Sequence, residues 1–142
     1  MTTLTTLTAP PVPGSPAATV RDAMTDPEFQ IADDTAVDRV GEILRGAHVP
    51  YLVLRDHDGR CSGVVTRAQL APFLAVARSA RTVPVREVAH DIGPYAWPEL
   101  GIGLAAVAME VRSLQVWPVV DDDGYLLGVL TPDGLRRGPY PR

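Results

Sequence analysis

The chain has 142 residues, of which 46% are hydrophobic and 21% are charged, and its net charge is −4. This composition is typical of globular proteins and excludes a wholly disordered chain, and no apolar run approaches the length of a membrane span. Every basic residue is an arginine, and the arginines are interleaved with acids, which excludes the basic stripe of a nucleic-acid-binding surface. The single cysteine, Cys61, has no partner for an intramolecular disulfide, as expected in a reducing compartment.

The N-terminal segment, residues 1–17, is rich in threonine, proline and alanine and predicts a disordered tail. It lacks the basic start and the continuous apolar stretch of a signal peptide, so we expect a cytoplasmic protein. The ordered part of the chain is expected to begin at residue 18, just before the segment VRDAMT.

A helix is predicted next, because apolar residues recur there at helical spacing. These residues are Val37, Val40, Ile43 and Leu44. Asp34 and Thr35 lie two to three residues before Val37 and are expected to cap the N-terminus of the helix.

A hairpin and a second helix complete this first unit. The strand YLVLR, residues 51–55, contains aromatic and β-branched side chains, which favour strands. A turn ending in Asp58 and Gly59 leads to a second strand. The second helix is expected to open at Thr66.

The same pattern recurs 65 residues later without a gap. VRDAMT at Val20 matches VREVAH at Val85, and DHDGRCSGVVT matches DDDGYLLGVLT, so that Thr66 corresponds to Thr131. An ungapped match over this distance indicates a duplicated unit. We therefore divide the ordered chain into a first repeat, residues 18–80, and a second repeat, residues 81–142.

The predicted fold class is α/β in the α+β arrangement, with each repeat folded as helix, hairpin and helix around a small sheet. A unit of about 60 residues buries too little apolar surface to be stable alone. The two repeats are therefore expected to bury their sheets and helices against each other about a pseudo-two-fold axis.

With these segments the chain resembles a tandem pair of cystathionine-β-synthase (CBS) domains, also called a Bateman module. The resemblance rests on VRDAMT, on PVVDDDGYLLGVLT at residues 118–131, and on the 65-residue period. It implies a stand-alone regulatory protein, not an enzyme, that binds AMP, ATP or S-adenosylmethionine in a cleft between the repeats and requires no cofactor. It also implies a homodimer that controls an unidentified partner protein. Neither nucleic acid nor a membrane is expected as a partner.

The family binds ribose and phosphate with the motif Gly-h-h-Thr/Ser-x-x-Asp-h, in which h is apolar. Thr66 and Thr131 match its hydroxyl position, beside a helix N-terminus that suits phosphate. The aspartate of the motif, which accepts from the ribose hydroxyls, is replaced by Gln69 and by Gly134. Gln69 is a neutral and weaker acceptor, and Asp133 lies one residue early, about 100° around the helix.

Helix capping is the alternative explanation for the two strand-to-helix junctions at Thr66 and Thr131, which we call the threonine corners. Thr66 and Gln69 fit a capping box, while Thr131, Pro132 and Asp133 fit an N-cap, a first-position proline and a first-turn acid. Two functions therefore stay open: a sensor of an adenosine-type ligand, or a degenerate pair without ligand that serves dimerisation or partner docking.

A second departure from the family concerns charge. Several nucleotide-binding members carry a basic pair just before the proline of the second strand. At these positions the chain has Gln115 and Val116 in the second repeat, and Pro50 and Tyr51 in the first. We therefore expect an adenosine-like or low-charge ligand in preference to ATP, unless Arg21, Arg67 and Arg86 supply the missing charge.

The resemblance also implies apolar walls for an adenine slot, at Val20, Met24, Val85 and Pro118. Trp117 has a ring that suits stacking on a base, but its alternating strand position favours a place in the core. The complete predicted ligand site is Thr66, Gln69, Val20, Met24, Thr131, Asp133, Val85 and Pro118.

Two motifs that suggest other chemistry fail on their context. GRCSG around Cys61 imitates a nucleophile elbow, but the following GVVT predicts a strand where the elbow requires a helix. The acidic turn at residues 121–124 imitates a calcium loop, but Val119 and Leu130 are apolar where oxygen ligands are needed. We therefore predict no catalytic and no metal-binding residue.

Overall fold

The computed structural model describes residues 18–27, 29–75, 82–89 and 93–137. The predicted tail, residues 1–17, and residues 76–81 at the junction of the predicted repeats lie outside the described part of the chain. The elements are α1 (Val20–Ala23), β1 (Gln30–Ala32), α2 (Val37–Ala47), β2 (Tyr51–Arg55), β3 (Cys61–Thr66), α3 (Arg67–Leu74), a 3₁₀ turn (Val85–Glu87), α4 (Ile102–Val111), β4 (Trp117–Val120), β5 (Leu126–Leu130) and α5 (Pro132–Arg137). The predicted α+β fold with small sheets is confirmed.

The 65-residue period governs local geometry as well as the order of elements. In the first hairpin, Asp56 Oδ1 accepts from the backbone N–H groups two and four residues later, at 2.9 and 3.0 Å. Asp121 Oδ1 makes the same two bonds in the second hairpin, at 2.9 and 3.0 Å. Gly59 and Gly124 end the two turns with φ of 88° and 91°, a conformation that favours glycine. The two hairpins are therefore copies of one turn.

The predicted N-cap of α2 is wrong. The N-cap residue is Ala36, which has no capping side chain, and the Thr35 hydroxyl instead donates to the carbonyl of Ala32 at 2.7 Å. The first N–H of the helix, at Val37, donates to the carbonyl of Val83 at 3.0 Å. Backbone from the start of the second repeat thus replaces the expected side-chain cap.

The first repeat has a three-stranded sheet in the order β1-β2-β3, and the second has a two-stranded sheet of β4 and β5. β1 pairs parallel with β2, while both hairpins are antiparallel. The counterpart of β1 in the second repeat is a single bridge, in which Ala96 pairs parallel with Val119. Pro94 and Pro98 flank it and lack the N–H groups that a longer strand needs.

The opening segment of the first repeat, residues 20–25, packs against the second repeat. The Val20 N–H donates to the Leu100 carbonyl at 2.8 Å, and Thr25 exchanges two backbone hydrogen bonds with Val129, at 3.0 and 2.8 Å. Val20 and Ala23 enter a core that the second repeat otherwise builds. Its other buried members are Ala96, Leu100, Ala105, Met109, Leu114, Trp117, Val119 and Leu130.

The opening segment of the second repeat, residues 85–89, packs in turn against the first repeat. The Val85 N–H donates to the Thr35 carbonyl at 2.8 Å, and Val85 and Val88 are buried in the core of the first repeat. The other buried members of that core are Val37, Val40, Leu44, Val49, Leu52, Leu54, Val65 and Leu70. Each core is therefore completed by a segment of the other repeat.

A third apolar cluster joins the two hairpins. Its buried members are Val53, Val64, Val116 and Val129, two from each repeat. The repeats thus share a central contact in addition to the two crossing segments. Among the described helices, none combines the length and the apolar content needed to cross a membrane.

We expect Gly128→Ala to destabilise the protein, because an added Cβ would lie 2.8 Å from the carbonyl oxygen of Thr25 in the crossing segment. A backbone atom cannot turn away, so we expect a loss of about 1–3 kcal/mol, as in other overpacked sites. Gly46→Ala in α2 is the matched control, because nothing lies within 4 Å of its added Cβ. That control should gain roughly 0.5–1 kcal/mol. Thermal unfolding measures both, and equal melting temperatures would contradict the crossed packing.

Candidate functional site

Both threonine corners open into one cavity of about 400 Å³ between the repeats. The cavity is lined by Pro50, Tyr51, Thr66, Arg67, Ala68, Gln115, Val116 and Thr131. Most of these residues form pairs 65 positions apart in the sequence, such as Thr66 with Thr131. The cavity therefore lies where equivalent parts of the two repeats approach each other.

The first corner forms the predicted capping box in full. Thr66 Oγ1 accepts from the backbone N–H of Gln69 at 3.2 Å, and Gln69 Oε1 accepts from the backbone N–H of Thr66 at 2.9 Å. The amide oxygen that the family resemblance assigns to a ribose is therefore bound within the corner. The Thr66 hydroxyl keeps its proton for donation, because a hydroxyl that accepts one hydrogen bond can still donate another.

The second corner is capped by Thr131. Its Oγ1 accepts from the backbone N–H of Gly134 at 3.0 Å, and α5 begins at Pro132, where the missing N–H of proline costs nothing. Asp133 is exposed, and its carboxylate accepts from Arg136 at 2.9 Å. This carboxylate lies at the protein surface and does not line the cavity.

Gly134 faces the opening segment of the first repeat. A Cβ at this position would lie 3.3 Å from the carbonyl oxygen of Ala23 and 3.3 Å from Thr131 Oγ1. An aspartate would carry its carboxylate past a carbonyl oxygen at close range. Glycine therefore suits the tight approach of the crossing segment at the position where the family motif has an acid.

Arg67 lines the cavity, but its guanidinium is engaged. It donates to the carbonyl of Leu44 at 3.2 Å and to the carbonyl of Val49 at 3.1 Å. These carbonyls lie at and beyond the C-terminal end of α2, where a cation satisfies acceptors left by the helix. Arg67 thus ties α3 to the end of α2.

The other two candidate arginines form ion pairs at the surface. Arg21 contacts Glu99 at 3.0 Å, and both side chains are exposed. Arg86 contacts Asp33 at 3.7 Å. Neither arginine lines the cavity.

The predicted walls of an adenine slot lie outside the cavity lining. Val20 and Val85 are 0% exposed and belong to the two cores. Met24 is half-buried, and its Sδ would lie 3.2 Å from a Cβ added at Gly128. Pro118 is buried within β4. The structure therefore does not bring these four side chains into the cavity lining.

Trp117 is a core residue, as its alternating position predicts. Its side chain is 5% exposed, and its Nε1 donates to the carbonyl of Pro94 at 3.0 Å. The guanidinium of Arg112 lies 5.6 Å from the ring centroid, within the range of a cation–π contact. This ring is therefore unavailable for stacking on a base.

Cys61 lies in β3 opposite Arg55, and the strand continues to Thr66, so the geometry of a nucleophile elbow is not formed. Burial raises the pKa of the Cys61 thiol above its ordinary value, although hydrogen bonds from Gly63 and Tyr95 act in the opposite direction. The thiol therefore stays protonated at neutral pH and is a weak nucleophile.

The acidic turn at residues 121–124 is a structural turn, since Asp121 accepts from the backbone of its own hairpin. Within the described ranges, no group of three or more histidine, cysteine, aspartate or glutamate side chains is placed to hold a metal ion.

Several cavity walls do not belong to the predicted ligand site. Pro50, Tyr51, Gln115 and Val116 stand out in the sequence as positions without the family's charge, whereas the structure places them around the cavity. The 65-residue period could have found them, because equivalent residues meet near a two-fold axis. Ala68 carried no such signal.

A family model described as CBS domain matches residues 20–75 and 83–138. The chain belongs to the CBS domain family. The two matched ranges lie in tandem and confirm the resemblance inferred from the repeated motifs.

Solved structures of CBS pairs share the fold. The protein CBSX2, in complex with AMP, is 25% identical, with a TM-score of 0.73 over 84% of this chain and 94% of that chain. The CBS domain pair of protein MJ0100, in complex with 5′-methylthioadenosine and S-adenosyl-L-methionine, is 22% identical, with a TM-score of 0.71 over 86% and 95%. Hypoxic response protein I, with two coordinated zinc ions, is 22% identical, with a TM-score of 0.74 over 84% and 97%. At 22% identity the likeness shows the fold alone.

Two curated relatives are homoserine O-acetyltransferases. The protein from Methanocorpusculum labreanum is 28% identical over 117 residues, which is 82% of this chain. The protein from Methanococcoides burtonii is 25% identical over 119 residues, which is 83% of this chain. This CBS pair spans 23% of the length of each relative.

Arg67→Ala should lower the free energy of unfolding by about 1–2 kcal/mol, because it leaves two carbonyls without a charged donor. Arg39→Ala is the matched control, since Arg39 contacts Glu42 at 3.3 Å on an exposed helix surface and such pairs contribute roughly 0–1 kcal/mol. Urea unfolding measures both variants. An Arg67→Ala protein as stable as Arg39→Ala would contradict the structural role of Arg67.

The Cys61 thiol should react slowly with iodoacetamide at about pH 8.5, where an unperturbed cysteine is half ionised. Because the folded pKa lies above the unfolded one, the thiol contributes stability that is present below the unfolded pKa and is lost as pH rises through the folded pKa. Labelling of the folded protein should therefore accelerate only when the pH is raised above about 8.5. Urea exposes the thiol and should accelerate labelling without any change of pH. Equal rates with and without urea would refute the buried thiol.

Proposed function

We propose that this CBS pair is a regulatory protein that binds an adenosine-type ligand, of the AMP, ATP or S-adenosylmethionine class, between its repeats. The observation that carries the proposal is the meeting of Thr66 and Thr131 in one cavity of about 400 Å³. Each hydroxyl lies at a helix start, where donors suit the oxygens of ribose and phosphate. The AMP complex of CBSX2 and the 5′-methylthioadenosine and S-adenosyl-L-methionine complex of MJ0100 support this ligand class.

A ligand of low charge suits the cavity better than ATP. Tyr51, Ala68 and Val116 provide apolar surface, and Gln115 is neutral. The guanidinium of Arg67 already serves two carbonyls. The phosphates of ATP would lose their hydration without meeting a compensating cation, whereas adenosine or 5′-methylthioadenosine carries no phosphate at all.

In this proposal, ligand binding moves the opening segments, and this movement is the regulatory signal. A base that enters beside either threonine corner displaces these segments and reaches the apolar side chains beneath them. Those side chains are Val20, Met24, Val85 and Pro118. A ribose hydroxyl would then donate to Gln69 Oε1, which would release its capping bond to Thr66, or to the Asp133 carboxylate, which would release its ion pair with Arg136. Because each segment belongs covalently to one repeat and packs in the other, its displacement couples the two repeats.

We also propose a cytoplasmic homodimer without enzymatic activity of its own, which acts on a partner protein and not on nucleic acid or a membrane. The alternative is a degenerate CBS pair without ligand that serves dimerisation or partner docking. The capping bonds of Thr66 and Thr131 favour the alternative, because each helix start already has a side-chain acceptor.

A thermal-shift screen separates the two functions, with adenosine, 5′-methylthioadenosine, S-adenosylmethionine, AMP, ATP and NAD as ligands. A ligand at 100 times its dissociation constant adds about 2.7 kcal/mol, which raises the melting temperature of a chain of this size by several degrees. We expect shifts with the low-charge ligands that exceed those with ATP. If no ligand moves the melting temperature at millimolar concentration, the alternative function stands and the sensor does not.

Matched threonine variants locate the binding site in the same assay. Thr66→Val and Thr131→Val remove the two cavity hydroxyls and should reduce the ligand-induced shift. Thr35→Val removes a hydroxyl that bonds to Ala32 outside the cavity, so it should lower the melting temperature but leave the shift intact. An equal loss of shift in all three variants would mean that general destabilisation, not the cavity, controls the response.

A further inference from the structure

A groove of about 530 Å³ runs between α4 and α5 in the second repeat. Ala106, Met109 and Leu135 are among its apolar walls, and it carries Glu110 from α4 and Arg136 from α5. It is larger than the cavity of about 400 Å³ between the threonine corners. Apolar walls exposed to water are unfavourable, so a groove of this size favours an occupant that covers them.

The equivalent groove of the first repeat, between α2 and α3, is nearly filled. Its volume is about 170 Å³, and Gly41 and Leu74 both line it. Leu74 Cδ1 would lie 2.9 Å from a Cβ added at Gly41. Leu74, the last residue of α3, therefore packs directly on the backbone of α2 and closes the groove. In the second repeat Ala106 stands 65 residues after Gly41 and lines the larger groove.

The second repeat cannot close its groove in the same way. Helix α5 ends at Arg137 after six residues, whereas α3 has eight. The counterpart of Leu74 is Pro139, which follows Gly138. A proline does not continue a helix, and it disfavours the helical conformation in the residue before it. The larger groove therefore lacks the side chain that closes its counterpart.

Five residues follow Arg137 in the sequence, and they begin beside this groove. These residues, 138–142, read GPYPR, and we call them the strap. Arg136 already lines the groove, and the four residues from there to Tyr140 span up to about 13 Å when extended. Packed helices lie roughly 8–10 Å apart. Tyr140 is therefore within reach of the α4 wall.

The chemistry of the strap complements the groove. Tyr140 has a large ring for the apolar walls and a hydroxyl that can remain in water. Arg142 carries the charge opposite to that of Glu110. Among the ion pairs of the described residues, none involves Glu110, so its carboxylate is available to a cation.

We propose that the strap lies in the groove between α4 and α5 and closes it. The Tyr140 ring packs over Ala106, in the place that Leu74 takes in the first repeat, and the Arg142 guanidinium lies beside Glu110. The strap holds α5 against α4 and keeps the groove closed to other proteins. A partner that docks an apolar side chain in this groove first has to displace the strap.

The strap also steadies one wall of the cavity between the repeats. Gln115 lines both the groove and the cavity, and α5 begins directly after Thr131, whose Oγ1 accepts from the Gly134 N–H at 3.0 Å. A helix of six residues is unstable without tertiary contacts. Pinning α5 to α4 therefore fixes the Thr131 corner, whether or not a ligand binds there.

Disulfide trapping tests the position of the strap. In a Cys61→Ala background, Ala106→Cys with Tyr140→Cys should form an intrachain disulfide in glutathione buffer. Its effective concentration should exceed that of the control pair, Val107→Cys with Tyr140→Cys, at least about 10-fold. Val107 is the next residue of α4, but it is 57% exposed and does not line the groove. Non-reducing mass spectrometry identifies the links.

Two results of the trapping experiment would overturn the proposal. Equal effective concentrations for the two pairs would mean that the strap has no fixed place on α4. Links formed only between chains would mean that the groove takes the strap of another copy. Thermal unfolding of the reduced proteins verifies that each variant is folded.

Hydrogen exchange tests whether the strap holds α5. A chain that ends at Arg137 should exchange the amides of Gly134 and Leu135 at least about 10-fold faster than the full chain. The amide of Gln69 in α3 is the internal control and should keep its rate. Tyr140→Ala should behave like the shortened chain, whereas Tyr140→Phe, which keeps the ring, should behave like the unchanged protein.

Unchanged exchange in α5 after the truncation would overturn the strap, and so would an equal acceleration in α3 and α5, which indicates general destabilisation. Either result leaves the proposed function in place, because ligand-induced thermal shifts report on the cavity independently. Conversely, a chain that binds no adenosine-type ligand can still show the disulfide and the exchange pattern.

Discussion

The exchange of opening segments between the repeats is the constraint on which the rest of the structure depends. Val20 donates to Leu100 in the second repeat, and Val85 donates to Thr35 in the first. Both valines are fully buried in the core that they enter. Neither core is complete without the other repeat, which is how units of this size overcome the small apolar surface that each buries alone.

The same crossing shapes the candidate site. It brings the first-repeat segment against Gly128 and Gly134, and it sets the two threonine corners on either side of one cavity. The groups suited to a ligand are also the groups that cap α3 and α5. A ligand that replaces a cap must offset about 1 kcal/mol of helix stabilisation, which lowers its affinity roughly fivefold.

The two repeats share the order of helix, hairpin and helix but differ in several local features. The first retains a capping box at Thr66 and Gln69 and a charged surface on α2. The second has Gly134 in place of an acid, a single bridge in place of β1, and an apolar face on α4. The cavity, in contrast, draws residues from both repeats.

The sequence by itself determined the duplicated hairpins, the helices that open at Thr66 and Thr131, the capping box and the core position of Trp117. These features follow from local hydrogen bonding and from the alternation of apolar residues, which act within a few residues of the chain. Only the tertiary structure decided which repeat each opening segment joins, why Val83 replaces a side-chain cap on α2, and why Arg67 serves α2 instead of the cavity. These outcomes depend on contacts between residues distant in sequence, where no local pattern specifies the partner.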